Sequence, residues 1–440
     1  LHEVYPNQSN INFVFLNQFP VMENSRSQKL FNIVVIVAAL GYFVDIYDLI
    51  IFGIVKNPSL IELGLTNSTD LFNTGNFILS MQMAGMLIGG IVWGVLGDKK
   101  GRLSVLFMTI LLYSIANIAN GFVTSVNQYA WLRLIAGFGL SGEFGLGVTL
   151  VSEVMSKEKR GLGASIVSGI GILGAALAFA VAERFNWRTA YWAGGGLGLV
   201  LLFLRIAVFE SGMYEKTKTQ KVSKGNFIAL FTNKTRFRKF LFATLLALPC
   251  WYTVSVLTIN APSFAEDALR ITGTVKGSTS VMLHYIGAAI GSFLFGYLSM
   301  VFRSRKKAII LATSSIAVLT AVYFSLFGAS PFLLYLDLFI LGIPMGGLWA
   351  IFVAAASEQF GTNIRATVTT TAPNFVRGAT ILITFLLGTL TPVVGLWSSG
   401  VIVGVLFIGI ALWAVFLTDE TYGKDLDYVE VIDQKLSHQG

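Results

Sequence analysis

The stretch RLIAGFGLSGEFGLGVTLVSEVMSKEKR, Arg133 to Arg160, is matched without a gap by LFILGIPMGGLWAIFVAAASEQFGTNIR, Leu338 to Arg365. At one constant offset Gly137 falls on Gly342, Gly142 on Gly347, Ser152 on Ser357, Glu153 on Glu358 and Arg160 on Arg365. Both segments are apolar runs of membrane-spanning length that close on the same acid and base, so the chain reads as two copies of one helical unit. Two similar six-helix bundles follow, with a central cavity between them that opens to each side in turn. The match also marks what is not repeated: Arg133 falls on Leu338 and Glu143 on Leu348.

Composition points the same way. Of the 440 residues, 55% are hydrophobic and 12% charged, with a mean hydropathy of +0.72; soluble domains carry about 25% charged residues. About twelve apolar runs approach the roughly 20 residues that cross about 30 Å of hydrocarbon. They lie near residues 31–55, 76–97, 103–124, 127–152, 161–183, 189–209, 239–264, 277–301, 307–328, 331–356, 366–390 and 394–417. The expected class is therefore an all-α integral membrane protein of twelve transmembrane helices in two pseudo-symmetric six-helix bundles. Its expected parts are a cytoplasmic N-terminal segment (1–30), an N-terminal bundle (31–209), a lysine-rich cytoplasmic linker (210–238), a C-terminal bundle (239–417) and a cytoplasmic tail (418–440). Within the linker, FIALF (227–231) reads equally as a short interfacial helix or a solvated loop.

Basic clusters follow alternate spans: Lys99, Lys100 and Arg102; Lys157, Lys159 and Arg160; Arg303, Arg305, Lys306 and Lys307. That bias sets both termini in the cytoplasm of a multi-pass cell-membrane protein, in the inner membrane if the source is prokaryotic. It also accounts for the net charge of +8 without nucleic acid as a partner. The single cysteine, Cys250, excludes a disulfide framework or a cysteine-ligated metal. Residues 1–25 lack a signal-peptide pattern, and Met22 is the expected natural start.

Chemistry concentrates in span 1, GYFVDIYDLIIFG (41–53), where Asp45 and Asp48 share one helix face. Unpaired charges there cost several kcal/mol, which makes a transport pathway the default reading, with Tyr47 a further candidate for its wall. At about 1.5 Å per residue, Asp48 lies roughly 10 Å from the outer end of span 1 and Arg133 roughly 8–10 Å from the outer end of span 4, so the two could pair. Asp45, Asp48 and Glu143 are assigned jointly to proton coupling, and Arg133 to a counter-ion or anion-binding role; a buried structural salt bridge is the competing reading. Arg377, beside Asn374 in span 11, is the expected carboxylate clamp if the substrate is anionic. Trp251, Tyr252, Asn260 and His284 are candidate cavity residues, although packing is the commoner role for aromatic residues and for a lone membrane histidine. Glu153 with Arg160 and Glu358 with Arg365 are expected gating pairs.

GVLGDKKGRL (94–103) resembles the loop signature of the major facilitator superfamily, carried here by Gly94, Asp98, Gly101 and Arg102. The resemblance implies a charged cytoplasmic latch at Asp98 and Arg102. The equivalent loop GYLSMVFRSRKK (296–307) has Met300 where the acid would fall. GYFVDIYDLIIFG, RLIAGFGLSGEFGLGVTLVSE (133–153), WRTAYWAGG (187–195) and FESGMYEK (209–216) resemble the metabolite:proton symporters of that superfamily. What the resemblance implies is a secondary active transporter of a small carboxylate or zwitterion, working by alternating access with proton symport. An exporter or facilitative exchanger of the same fold is the alternative, and a non-transporting receptor a more distant one. No HExxH, nucleophile elbow or phosphate-cradling loop is present, so no enzyme activity is expected. The expected partners are the substrate, protons and the lipid bilayer, for a monomer without cofactor or metal.

Overall fold

A computed structural model describes residues 23–100, 102–145, 160–210, 227–361 and 364–424. Among the described residues every regular element is a helix, as a chain must be when lipid offers its backbone no hydrogen bonds. Span 1 is Glu23–Glu62, span 2 Ser68–Lys100, span 3 Arg102–Asn120 and span 4 begins as Val126–Leu140. Span 5 is a broken helix, Arg160–Ile172 and Gly174–Arg184, and span 6 is Trp187–Glu210. In the second half, span 8 is Gly277–Val301, span 9 Arg305–Ser325 and span 10 Pro331–Glu358. Spans 11 and 12 are two helices within Arg365–Leu417, divided where Gly395 leaves the helical conformation at φ 79°. Nine helices among the described residues are long and apolar enough to cross a bilayer; the last covers two spans, and spans 3 and 4 complete the expected twelve.

Span 7 is irregular. It starts as Lys234–Leu246, capped by Asn233, whose side chain accepts from the N–H groups of Thr235 and Arg236. It restarts as Leu248–Tyr252 with Pro249 in its first turn, then widens into π-helix at Thr253–Thr258 and again at Phe264–Ala268. π-Turns are rare and concentrate at functional sites. The FIALF stretch forms one short helix, Ala229–Thr232, and Phe227 packs on Phe375 of span 11 with ring centroids 6.2 Å apart.

Spans 2 and 4 pack closely in the first bundle, as do spans 8 and 10 in the second. The aligned glycines explain this. A β-carbon at Gly137 would collide with the Gln82 carbonyl of span 2, and one at Gly342 with the His284 carbonyl of span 8. The repeat thus preserves a backbone contact that only a glycine permits. Across the seam, span 2 meets span 11, span 5 meets span 8 and span 1 meets span 8, while Gly53 and Lys56 of span 1 lie against Ile259 and Asn260 of span 7.

Lys100, Arg305 and the end of span 12 mark one face of the molecule, the tail face; Glu62, Arg188 and Lys276 mark the far face. At the tail face Glu420 receives hydrogen bonds from the Ser304 hydroxyl and from the N–H groups of Arg305, Thr421 and Tyr422. Lys306 reaches the carbonyls of Phe416 and Thr418, both at 3.2 Å. The chain after span 12 is thereby strapped across the start of span 9. Partial burial would raise the Glu420 carboxyl, but these donors outweigh it and hold it at about 2, below its usual 4.5. With the folded value depressed, the strap contributes stability that is complete above the usual value and disappears as pH falls through about 2. Glu420→Ala is expected to speed limited proteolysis after Leu417 at neutral pH, with wild type becoming equally sensitive only in strong acid.

Candidate transport site

Asp45 and Asp48 are fully buried, and among the described residues neither carboxylate accepts a hydrogen bond. Asp48 points at span 6, where Gly194 leaves room that any β-carbon would fill. Among the described residues Arg133 makes no hydrogen bond or ion pair with that carboxylate. Its guanidinium donates to the main-chain carbonyl of Asp48 and to Asn117 Oδ1, each at 2.9 Å, and lies over the Tyr191 ring at 5.4 Å. The pairing expected from depth alone is met as proximity and not as contact: the guanidinium stands within electrostatic reach of the Asp48 carboxylate, while its described hydrogen bonds go to main chain and to Asn117. Arg133 therefore ties spans 1, 3, 4 and 6 together within the first bundle.

Glu143 has a partner that sequence reasoning missed. Arg205 of span 6 forms an ion pair with it at 2.9 Å, with both side chains buried, and Thr109 donates to Glu143 Oε1 at 3.1 Å. The absence of a side chain at Gly41 opens the space on span 1 that Arg205 enters. Removing one member of a buried pair strands the other charge and costs about 3–5 kcal/mol. Arg205→Ala and Glu143→Ala are each expected to lower the thermal midpoint of the purified protein, and the double variant to recover part of the loss. A Tm unchanged in both single variants would remove this pair from the core.

Between the bundles lies a cavity of about 30 Å³ lined by Tyr42, Trp251, Tyr285, Trp349 and Arg377, together with smaller apolar groups. Arg377 sits over the Trp349 ring at 5.4 Å and donates to Asn374 Oδ1 at 3.2 Å. Asn374 in turn donates to the Ser141 carbonyl of span 4 at 2.7 Å, a bond across the seam. Phe144 stacks on Trp349 at 6.1 Å and packs at a tilt against Tyr42 at 4.3 Å, closing the aromatic wall. Asp45 lies within electrostatic reach of Arg377, Arg205 and Glu143. It is the acid that links the cavity to the ionic cluster of the first bundle. A roomier hollow of about 520 Å³ lies on the far face among Arg270, Phe327 and Trp397. It is an open depression of one bundle, not part of the seam.

Several candidates lie elsewhere. Tyr47 turns into the first bundle and donates to the Ala190 carbonyl at 2.8 Å. Tyr252 donates to the Gly400 carbonyl of span 12 at 2.9 Å. His284 Nδ1 meets the Leu338 carbonyl at 3.0 Å between spans 8 and 10. None of the three lines the cavity, and the polar atoms just named find main-chain partners on neighbouring spans. Asn260 belongs to the far end of the seam, where Lys56 donates to its Oδ1 at 2.7 Å; Lys56, just past the expected edge of span 1, was also missed. Glu358 forms an ion pair with Arg305 at 2.9 Å and accepts from Thr421 at 2.7 Å. Gly94 lies beside Thr370 and Thr371 of span 11. Gly101, Glu153 and the side chains of Asp98, Arg102, Arg160 and Arg365 lie outside the described residues.

The Major Facilitator Superfamily model matches residues 38–382, most of the chain. The chain belongs to that superfamily. A putative metabolite transport protein of Haemophilus influenzae is 27% identical over 89% of this chain and 96% of its own. A probable 4-methylmuconolactone transporter of Cupriavidus pinatubonensis is 24% identical over 89% and 91%. A putative niacin/nicotinamide transporter of Bacillus subtilis is 28% identical over 80% and 87%. The solved major facilitator proton:xylose symporter XylE superposes with a TM-score of 0.67 at 17% identity, covering 91% of this chain and 98% of that one. This facilitator is thus a membrane transporter, not an enzyme, with its twelve spans in the superfamily fold.

Proposed function

We propose that this facilitator carries a small carboxylate metabolite across the cell membrane by alternating access, coupled to proton symport. Both termini are assigned to the cytoplasm, which makes the tail face cytoplasmic and the far face external, and the single chain is assigned as the transporting unit. In a bacterium the membrane is the inner one.

The observation that carries this reading is the buried Arg377 in the wall of an aromatic cavity on the seam, with the buried Asp45 of span 1 within its electrostatic reach. A guanidinium presents a planar fork that matches a carboxylate bidentately. An acid without a partner can take up a proton when a substrate anion engages that arginine, and can release it when the anion leaves. Tyr42, Trp251, Tyr285 and Trp349 supply flat apolar walls, which favour a compact unsaturated ring over a polyhydroxylated sugar. Relatives named for niacin/nicotinamide and for 4-methylmuconolactone fit that preference.

The cavity of about 30 Å³ is far below the roughly 300 Å³ or more of an occupied small-molecule site. Loading therefore requires the bundles to part. Purified protein in liposomes tests the proposal: an inwardly directed proton gradient is expected to drive uptake of a ring carboxylate such as nicotinate against its gradient. Uptake indifferent to that gradient would reduce the protein to a passive, uncoupled carrier or exchanger, and thermal stabilisation by sugars alone would overturn the substrate class.

A further inference from the structure

We propose that Lys56 is an anion-selecting gate residue. Span 7 holds its ammonium while the far end of the seam is closed, and the ammonium becomes a positive group in the pathway wall that an anionic solute meets when that end opens. This inference rests on the alternating-access reading above and adds a residue and a selection step to it.

Lys56 is 3% exposed. Its Nζ donates to Asn260 Oδ1 at 2.7 Å and to the Ile259 carbonyl at 3.4 Å. An ammonium has three donors, neither acceptor is an anion, and among the described residues no carboxylate lies within ion-pair distance of it. A buried charge held only by neutral oxygens is costly. The closed arrangement is therefore one that water or an incoming carboxylate would relieve.

Its acceptors are not incidental. Ile259 and Asn260 directly follow the π-helical turn Thr253–Thr258. Asn260 Nδ2 returns to the Ser255 carbonyl at 2.8 Å and also reaches Asn76 Oδ1 at 3.1 Å. The cluster thus joins spans 1 and 2 of one bundle to span 7 of the other. Parting the bundles at the far end must break the Lys56–Asn260 bond and leave the ammonium on span 1. Eleven residues separate Lys56 from Asp45, about three helical turns, so the two share a face with the cation about 16 Å further out. An anion drawn to Lys56 is thereby aligned with the path to Asp45 and Arg377.

The chain contains its own reporter. Cys250 is its single cysteine, is 1% exposed and lines the central cavity, so a membrane-impermeant thiol reagent reaches it only through an opened seam. Full-length protein in sealed right-side-out vesicles would be treated from outside with anionic and cationic methanethiosulfonates of similar size. Lys56→Met is expected to lower the anionic-to-cationic ratio of modification rates by about threefold or more, within the range of electrostatic steering, while Lys56→Arg keeps the wild-type ratio. Asn260→Ala strands the ammonium and is expected to raise both rates about tenfold. Adding Lys56→Met to that variant should return them close to wild type.

An unchanged ratio in Lys56→Met, or wild-type rates in Asn260→Ala, would overturn the proposal. The readout is thiol modification, not uptake, so its failure leaves proton-driven transport standing. Loss of pH-driven uptake in wild type would leave the gate result untouched.

Discussion

Asp45→Asn is expected to cut pH-driven accumulation of substrate in liposomes by about a hundredfold or more, the scale on which a positioned acid or base acts. Exchange of labelled for unlabelled substrate should stay within about threefold of wild type, because exchange needs the cavity but not net proton release. The asparagine has the same shape and removes the titrating oxygen. Asp45 is singled out because it is buried, unpartnered among the described residues and in reach of the cavity arginine. Asp48 faces span 6 beside Gly194, so Asp48→Asn is the matched comparison. Equal loss of accumulation and exchange in both variants would return the pair to a structural role.

The second large effect is expected at Arg377. Truncating one partner of a buried, hydrogen-bonded charge pair costs about 2–5 kcal/mol. Arg377→Ala should therefore abolish the thermal shift produced by a ring carboxylate, with little change in the Tm of the unliganded protein. An uncharged amide of the same ring, such as nicotinamide, measures what the aromatic walls contribute alone, and its weaker shift should survive. Arg377→Lys should recover only part of the acid's shift, since an ammonium lacks the planar fork. An acid that still stabilises Arg377→Ala as strongly as wild type would move the clamp elsewhere. Arg133→Ala, in contrast, is expected to lower the Tm with or without substrate, because that guanidinium is committed to the Asp48 carbonyl and Asn117.

The architecture was legible because the repeat and the apolar run length both act along the chain. Gly137 and Gly342 stand at aligned positions and perform the same close contact in each bundle. The depth of buried charges was legible too, since helical rise turns sequence position into distance from the membrane edge. Azimuth was not. Asp48 and Arg133 share a level, yet the guanidinium meets the main chain of span 1 and the carboxylate faces span 6. Arg205 and Lys56 escaped notice for a related reason: each lies within a few residues of a span's expected end, where basic side chains ordinarily reach outward to water. Arg205 turns inward to Glu143 and Lys56 across the seam to Asn260, partners on other spans. A glycine opposite Arg205, Gly41, was the faint signal available, and nothing in a single sequence ties it to that arginine.

The π-helical turns of span 7 bear on how this chain aligns with its relatives. A π-turn is closed by a bond to the fifth residue along instead of the fourth, so it holds one residue more than an α-turn. Losing one residue there would convert the turn to α-helix and leave both flanks facing as before. In a regular α-helical span the same deletion would rotate everything beyond it by about 100° and turn the lipid-facing surface inward. One-residue gaps should therefore gather between Thr253 and Ala268 when homologous chains are compared, and the length of span 7, not only its side chains, becomes a quantity that descent can vary.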